Sequence, residues 1–145
     1  MHEKRVEIRW SDVDAFGHVN NAVYATYLEE CRDEWLDGGL ADDNAVWDFV
    51  VARLAIDFRR ELRLEDDEVF VRCALARIGT ASVTTTEAIV ARGEVAAEAE
   101  AVLVARNRER DGSRPLTGGD DAVNNMRAID AIYRAANLRP RGLPA

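Results

Sequence analysis

Apolar positions alternate with polar ones from Val6 through Ile8 to Trp10, and this period of two predicts a strand over 4–11. A polar stretch follows, holding Asp12, Asp14, Gly17, His18, Asn20 and Asn21. Beyond it Tyr24, Tyr27, Leu28, Cys31 and Trp35 recur three and four apart. That spacing makes one apolar stripe and predicts a helix over 21–36. Gly38-Gly39 closes it, as glycine does past a helix C-terminus, and Asp42, Asp43 and Asn44 read as a loop.

The second half reads as strands. One is predicted over 45–59, where Leu54, Ile56 and Phe58 alternate, and 61–68 is a charged turn. Strands over 69–78 and 82–91 flank a turn at Gly79-Thr80; the threonine- and valine-rich second one reads as an exposed-face strand. Arg92-Gly93 turns the chain into 94–106. That alanine-rich segment suits a helix by propensity, but Val102-Leu103-Val104 and the glycine turn favour a strand. A loop over 110–121 precedes Met126, Ile129, Ile132 and Tyr133, whose spacing predicts a C-terminal helix over 124–136. Strand, long helix, four strands and a terminal helix make an α+β chain with the long helix laid against one sheet. Residues 1–110 form the domain, and 111–145 form a C-terminal extension.

Composition narrows the class. A chain of 145 residues, 48% hydrophobic, is one unit able to bury about two-thirds of its unfolded surface. The net charge of −8 argues against nucleic-acid binding through the overall field. Two arginine clusters, Arg59-Arg60-Arg63 and Arg106-Arg108-Arg110, read either as local anion sites or as solvated strand ends. No apolar run approaches the ~20 residues of a membrane span, and the N-terminus has no signal-peptide core. Cys31 and Cys73, far apart on apolar patterns, read as reduced core thiols. A cytoplasmic protein without a membrane partner is expected. His2, His18 and two scattered thiols lack metal-ligand spacing, so no metal is expected.

The candidate chemistry lies in the polar stretch, which puts carboxylates beside the positive end of a helix. Such a place stabilises an anion and activates a carbonyl. Asp14 is either a general base or nucleophile, or a turn residue that satisfies nearby amides. Asp12 reads as a residue that holds the turn. Asn20 or Asn21 caps the helix, and the next amide is free to donate. Gly17 gives the turn its conformation or lets a substrate approach. Glu29 and Arg32, three apart, fit a surface or interface pair.

The run Trp10-Ser-Asp-Val-Asp-Ala-Phe-Gly-His-Val-Asn-Asn-Ala-Val-Tyr24, with Tyr27-Leu-Glu-Glu-Cys-Arg32 after it, resembles the signature of the hotdog-fold thioesterases. The nearest branch is the 4-hydroxybenzoyl-CoA thioesterase-like group of acyl-CoA thioesterases. His18-Val-Asn-Asn is also similar to plant acyl-carrier-protein thioesterases. Ile56-Asp-Phe58, Ile78-Gly-Thr-Ala-Ser82 and 96–104 sit where that family places strands and turns, so the resemblance covers roughly residues 4–110.

The resemblance implies a sheet wrapped around one long helix. It also implies a homodimer or homotetramer whose sheets join edge to edge, with active sites between subunits. The implied reaction is hydrolysis of an acyl-CoA or acyl-carrier-protein thioester, with no cofactor. Asp14 matches the catalytic carboxylate, and Asn21 the helix-start residue whose backbone N–H faces the thioester carbonyl. His18 matches the catalytic histidine of the plant enzymes, which carry an asparagine where this chain has Phe16. Gly17, Tyr24, Thr80 and Ser82 fall at substrate-binding positions, the last two near the pantetheine arm or the interface. Phe16, Tyr24 and Trp47 line the pocket or pack in the core. Two other functions fit the same residues. One is a hydratase or dehydratase using Asp14 and His18 as an acid–base pair, the other a non-catalytic acyl-thioester binding module.

Overall fold

The computed structural model describes residues 1–39 and 49–105. Its elements are β1 (His2–Glu7), α1 (Asn21–Gly39), β2 (Phe49–Phe58), β3 (Glu68–Ile78), β4 (Ser82–Ala91) and β5 (Glu94–Ala105). The five strands form one sheet in the order β1-β3-β4-β5-β2, antiparallel at every junction. Helix α1 lies over β3, with β1 and β4 beside it. The architecture is the expected α+β. The expected C-terminal helix, Trp47 and the Arg106-Arg108-Arg110 cluster lie outside the described residues.

Tyr24, Tyr27, Leu28 and Cys31 of the helix stripe are buried against Val69, Val71 and Cys73 of β3 and Ile89 of β4. Leu36 packs in a second cluster with Phe49, Val83, Ala101 and Leu103. Removing this apolar surface from water holds the helix on the sheet. The alanine-rich segment is indeed a strand. It pairs with β4 on one side and β2 on the other, so every backbone group it offers can be satisfied in the sheet. That outweighs alanine's helix propensity.

Three details differ from expectation. The first strand ends at Glu7 rather than Ser11, because Arg9 and Asp12 close a 3-10 turn over Trp10–Asp12. The helix runs on through Gly38 and Gly39. Strand β4 is not an exposed-face strand: Val83, Thr84, Thr85, Glu87, Ile89, Val90 and Ala91 are all buried.

Candidate active site

The turn between β1 and α1 is built by two aspartates. Asp12 is buried, and its Oδ2 accepts from the Arg9 amide (3.0 Å) and the Tyr27 hydroxyl (2.7 Å). Its Oδ1 lies 3.4 Å from the Arg9 guanidinium. Burial pushes its carboxyl up, but the Tyr27 and Arg9 bonds outweigh this and hold it below the usual carboxylate range. Asp12 therefore ties the end of β1 to the first half of the helix.

Asp14 stands two residues on and is exposed. Its Oδ1 accepts from the amides of Phe16 (2.9 Å) and His18 (3.1 Å). Its own N–H donates to the His18 carbonyl at 2.7 Å. Among the described residues Oδ2 has no hydrogen-bond partner. Gly17 sits at φ +79°, and a Cβ there would meet nothing within 4 Å. The turn's conformation, not a close approach within this chain, calls for glycine.

Asn20 caps the helix. Its side chain accepts from the Ala22 amide at 2.9 Å, and its carbonyl accepts from Val23 at 2.8 Å. Asn21 is the first helical residue, and its N–H finds no acceptor among the described residues. The orphan donor of the first turn thus stands beside the Asp14 turn.

The second wall comes from the end of β2 and the segment after it. Val19 donates to the Leu62 carbonyl at 2.8 Å, and His18 bridges Arg63. The Tyr24 hydroxyl accepts from Leu62 N–H (2.9 Å) and donates to the Arg60 carbonyl (3.2 Å), and its ring meets Phe58 edge-on at 5.0 Å. Between the walls lies a cleft of about 510 Å³. Asp14, His18, Asn21 and Tyr24 line it together with Phe58, Arg59 and Glu61.

Sequence reasoning missed Glu61. The His18 Nε2 lies 3.2 Å from Glu61 Oε2, and the Arg63 guanidinium lies 3.1 Å from the same oxygen and 3.4 Å from Nε2. With the proton on Nε2 the imidazole donates to Glu61, whose Oε2 the Arg63 guanidinium shares, while the backbone of His18 holds Asp14. In the sequence Glu61 is only part of a charged turn; its contact with His18 spans 43 positions and leaves no local signal.

Thr80 and Ser82 are not brought to this cleft within the chain. They belong to the β3–β4 turn, where the Gly79 N–H donates to the Ser82 carbonyl at 2.6 Å. Ser82 pairs with Val104, whereas Phe58 lies level with Ala97 and Ile89. Seven residues of strand separate the two levels, on the order of 20 Å.

Arg32 is not a surface partner of Glu29. It is buried and makes a bidentate pair with Glu87 of β4 at 2.8 and 3.0 Å, which the Thr85 hydroxyl joins at 2.7 Å. Cys31 and Cys73 are buried and free, as expected of core thiols. Burial, with Glu87 adding to it, pushes the Cys31 thiol up to about 11, so it is no nucleophile. No group of three or more His, Cys, Asp or Glu is arranged to hold a metal among the described residues. No helix there is long and apolar enough to cross a membrane.

Known proteins are similar to this chain in sequence and fold. The profile of the thioesterase-like superfamily matches residues 8–138. A thioesterase from Thermus thermophilus, solved complexed with coenzyme A and Zn, is 34% identical with a TM-score of 0.70. That match covers 90% of this chain and 98% of that one. The long-chain acyl-CoA thioesterase FadM of Escherichia coli is 36% identical over 70 residues, 44% of this chain and 51% of FadM. The chloroplastic acyl-acyl carrier protein thioesterase ATL2 of Arabidopsis thaliana is 46% identical over 37 residues, 26% of this chain and 20% of ATL2. The chain thus spans about half of one of these two relatives and a fifth of the other. Taken with the antiparallel sheet and its single long helix, these matches place the chain in the thioesterase-like superfamily, with the hotdog fold.

Proposed function

We propose that the protein hydrolyses acyl thioesters, with acyl-CoA as the first substrate class to test and acyl-carrier protein as the second. One observation carries this reading: the Asp14 carboxylate is tethered on one side only. Oδ1 is fixed by two backbone amides, and Oδ2 has no hydrogen-bond partner among the described residues. A residue serving the turn alone needs only the first oxygen. The second can take a proton from water, or attack the thioester carbonyl directly.

In the first case the activated water adds to the carbonyl carbon. The tetrahedral intermediate collapses with loss of the C–S bond, and the sulfur leaves as thiolate. In the second case Oδ2 forms the new C–O bond, thiolate leaves, and water then cleaves the mixed anhydride. In both the Asn21 N–H donates to the oxygen that gains charge. One such donor is worth about 2.7–4 kcal/mol. His18 is an orienting residue in this reading, its ring held by Glu61 and its backbone holding Asp14.

The hydratase alternative needs Asp14 and His18 to work as a pair. The His18 ring instead pairs with Glu61, and no hydrogen bond joins it to the Asp14 carboxylate. That favours hydrolysis. A panel of acyl thioesters with a thiol reagent tests it. Thiol release is the expected result. Enoyl absorbance change without thiol would make the protein a hydratase, and binding without either would make it a binding module.

A homodimer joined along β2 fits the same reading. Of the two sheet edges, β1 is charged and short, which discourages pairing. β2 is ten residues long and exposes Val50, Val51 and Phe58. Phe58 also lines the cleft, so a partner along this edge would wall the site. Sedimentation at micromolar concentration should give a dimer or a multiple of it. A folded monomer would overturn the shared site.

A further inference from the structure

Phe16 does neither of the two things expected of it. It lines no part of the cleft and packs in no core cluster; 84% of its surface faces water. Trp10, on the same connection between β1 and α1, is 83% exposed. A lone exposed ring needs no explanation. Two in one connection leave on the order of 300 Å² of aromatic surface in water, a sizeable share of the roughly 800 Å² that each partner gives to a stable interface.

The backbone sets Phe16 apart from Trp10. The Phe16 N–H is one of the two amides that fix Asp14 Oδ1, at 2.9 Å, and the His18 N–H is the other, at 3.1 Å. The turn that carries them is closed by two further bonds, from the Asp14 N–H to the His18 carbonyl (2.7 Å) and from the Gly17 N–H to the Asp14 carbonyl (3.1 Å). All four bonds are local, and Ala15, Phe16 and Gly17 are all exposed. Segments held by a few exposed backbone bonds open at low cost. The clamp on the Asp14 carboxylate thus sits in a weakly anchored turn, and the one large apolar side chain on that turn stands in water.

The β2 edge supplies a cover for it. Two copies of one edge strand related by a two-fold run antiparallel, so the start of the partner's β2 lies beside the end of this one. Adjacent strands are about 4.8 Å apart. The end of β2 carries Phe58, which shares the cleft with Asp14 and His18, the residues on either side of Phe16. The start carries Val50 and Val51, 44% and 48% exposed. Pairing therefore brings apolar side chains of a second copy to the mouth of the cleft. The two-fold repeats the contact, so one dimer seats two Phe16 rings.

We propose that the Phe16 ring seats on a second copy of this chain, against the partner's Val50 and the partner's Val51, and that this contact holds the turn in which Asp14 is clamped. Phe16 is then a positioning residue, through which dimerisation orients the carboxylate. The proposal rests on the thioester reading and on the dimer along β2.

Two variants of the full chain test it. Phe16→Ala removes the ring and keeps the amide; Phe16→Leu keeps apolar bulk. Sedimentation equilibrium gives the dimer dissociation constant, and hydrogen exchange of the amides of residues 16 and 18 reports on the clamp over the same range of protein concentration. Phe16→Ala should raise the dissociation constant on the order of a hundredfold, because two rings are lost per dimer and a buried aromatic anchor is worth about tenfold or more. Phe16→Leu should recover most of that loss. In dilute Phe16→Ala the two amides should exchange faster and kcat should fall on the order of tenfold. Both should return toward the parent's values as concentration restores the dimer, a repair that a role in folding alone does not give. Phe16→Ala dimerising as tightly as the parent overturns the contact. If its melting temperature then falls alike at every concentration, another segment of the same chain covers the ring; if KM rises instead, the substrate does. A weakened dimer whose turn amides exchange as in the parent overturns the coupling. Failure of the underlying readings looks different. A parent that sediments as a folded monomer removes the dimer along β2, and with it this contact. A parent dimer that releases no thiol removes the thioester reading, while sedimentation and exchange still decide the contact.

Discussion

Asp12 and Asp14 are the same residue two positions apart in one turn, yet the chain uses them in opposite ways. Asp12 is buried, and both its oxygens have partners: an amide, a hydroxyl and a guanidinium. Asp14 is exposed, and among the described residues only one of its oxygens has partners. A carboxylate saturated with donors cannot also serve as base or nucleophile. A carboxylate held at one oxygen is oriented and still has a lone pair to offer. The difference comes from what surrounds each residue: Asp12 faces Tyr27 and Arg9, whereas Asp14 faces the cleft.

The largest test of this contrast is Asp14→Asn. The amide oxygen can still accept from Phe16 and His18, so the melting temperature should change little. If the free oxygen is the reacting one, kcat should fall about a hundredfold or more, with little change in substrate affinity. A variant with near-normal turnover would reduce Asp14 to a turn residue like its neighbour.

The helix amide gives the next largest effect. Asn21→Pro deletes the N–H at a position where proline is tolerated, so the fold should survive. It should lose on the order of a hundredfold in kcat, whereas Asn21→Ala, which keeps the amide, should lose only a few-fold. Equal activities of the two folded variants would remove this amide from the site.

Asp12→Ala should show the reverse pattern. It leaves the Tyr27 hydroxyl and the Arg9 amide without their acceptor, which costs about 2–4 kcal/mol of stability in chemical denaturation. The kcat of the folded fraction should fall far less than in Asp14→Asn. The acid limb of stability should change as well. Because the Asp12 carboxyl is held below its usual range, its contribution is fully present above the unfolded value near ~4 and is lost as pH falls through the lower folded value. In Asp12→Ala that acid-dependent loss should disappear.

The smallest effect belongs to Glu61. Glu61→Gln should lower kcat by less than about tenfold, by loosening the His18 ring. In combination with His18→Ala it should add nothing further, since the two act through one contact. Additive losses would separate Glu61 from His18.

Much of the turn was legible in the sequence. The polar stretch between an alternating strand and a striped helix forms one wall of the cleft, and the helix start at Asn21 is where the spacing puts it. What was not legible comes from contacts across the chain. Glu61, Arg59 and Arg60 wall the cleft, but they lie about 45 positions from Asp14; alone, the arginines read as local anion sites or solvated strand ends and Glu61 as part of a charged turn. Arg32 shows the same limit. It lies four residues after Leu28 and three before Trp35, so it falls on the apolar stripe, a position that called for a buried partner. Only the sheet reveals that partner as Glu87, on a strand whose threonines had suggested exposure. Thr80 and Ser82 stand far from Asp14 in the single chain, and their part in a site turns on the second copy proposed for the β2 edge.

The Arg32–Glu87 pair also acts as an indexing pin. A purely apolar helix face can creep along a sheet, because one methyl contact substitutes for another. A fork of two N–H bonds onto one carboxylate has a single seat. Slipping α1 by one turn, about 5.4 Å, would leave a guanidinium and a carboxylate unmatched in the core, at a cost of about 3–5 kcal/mol. Asn21 lies eleven residues upstream of Arg32, about 16 Å along the same rod. The pin in the middle of the helix therefore sets where the free amide at its tip stands relative to the Asp14 carboxylate, and the tolerance of that placement is fixed far from the cleft itself.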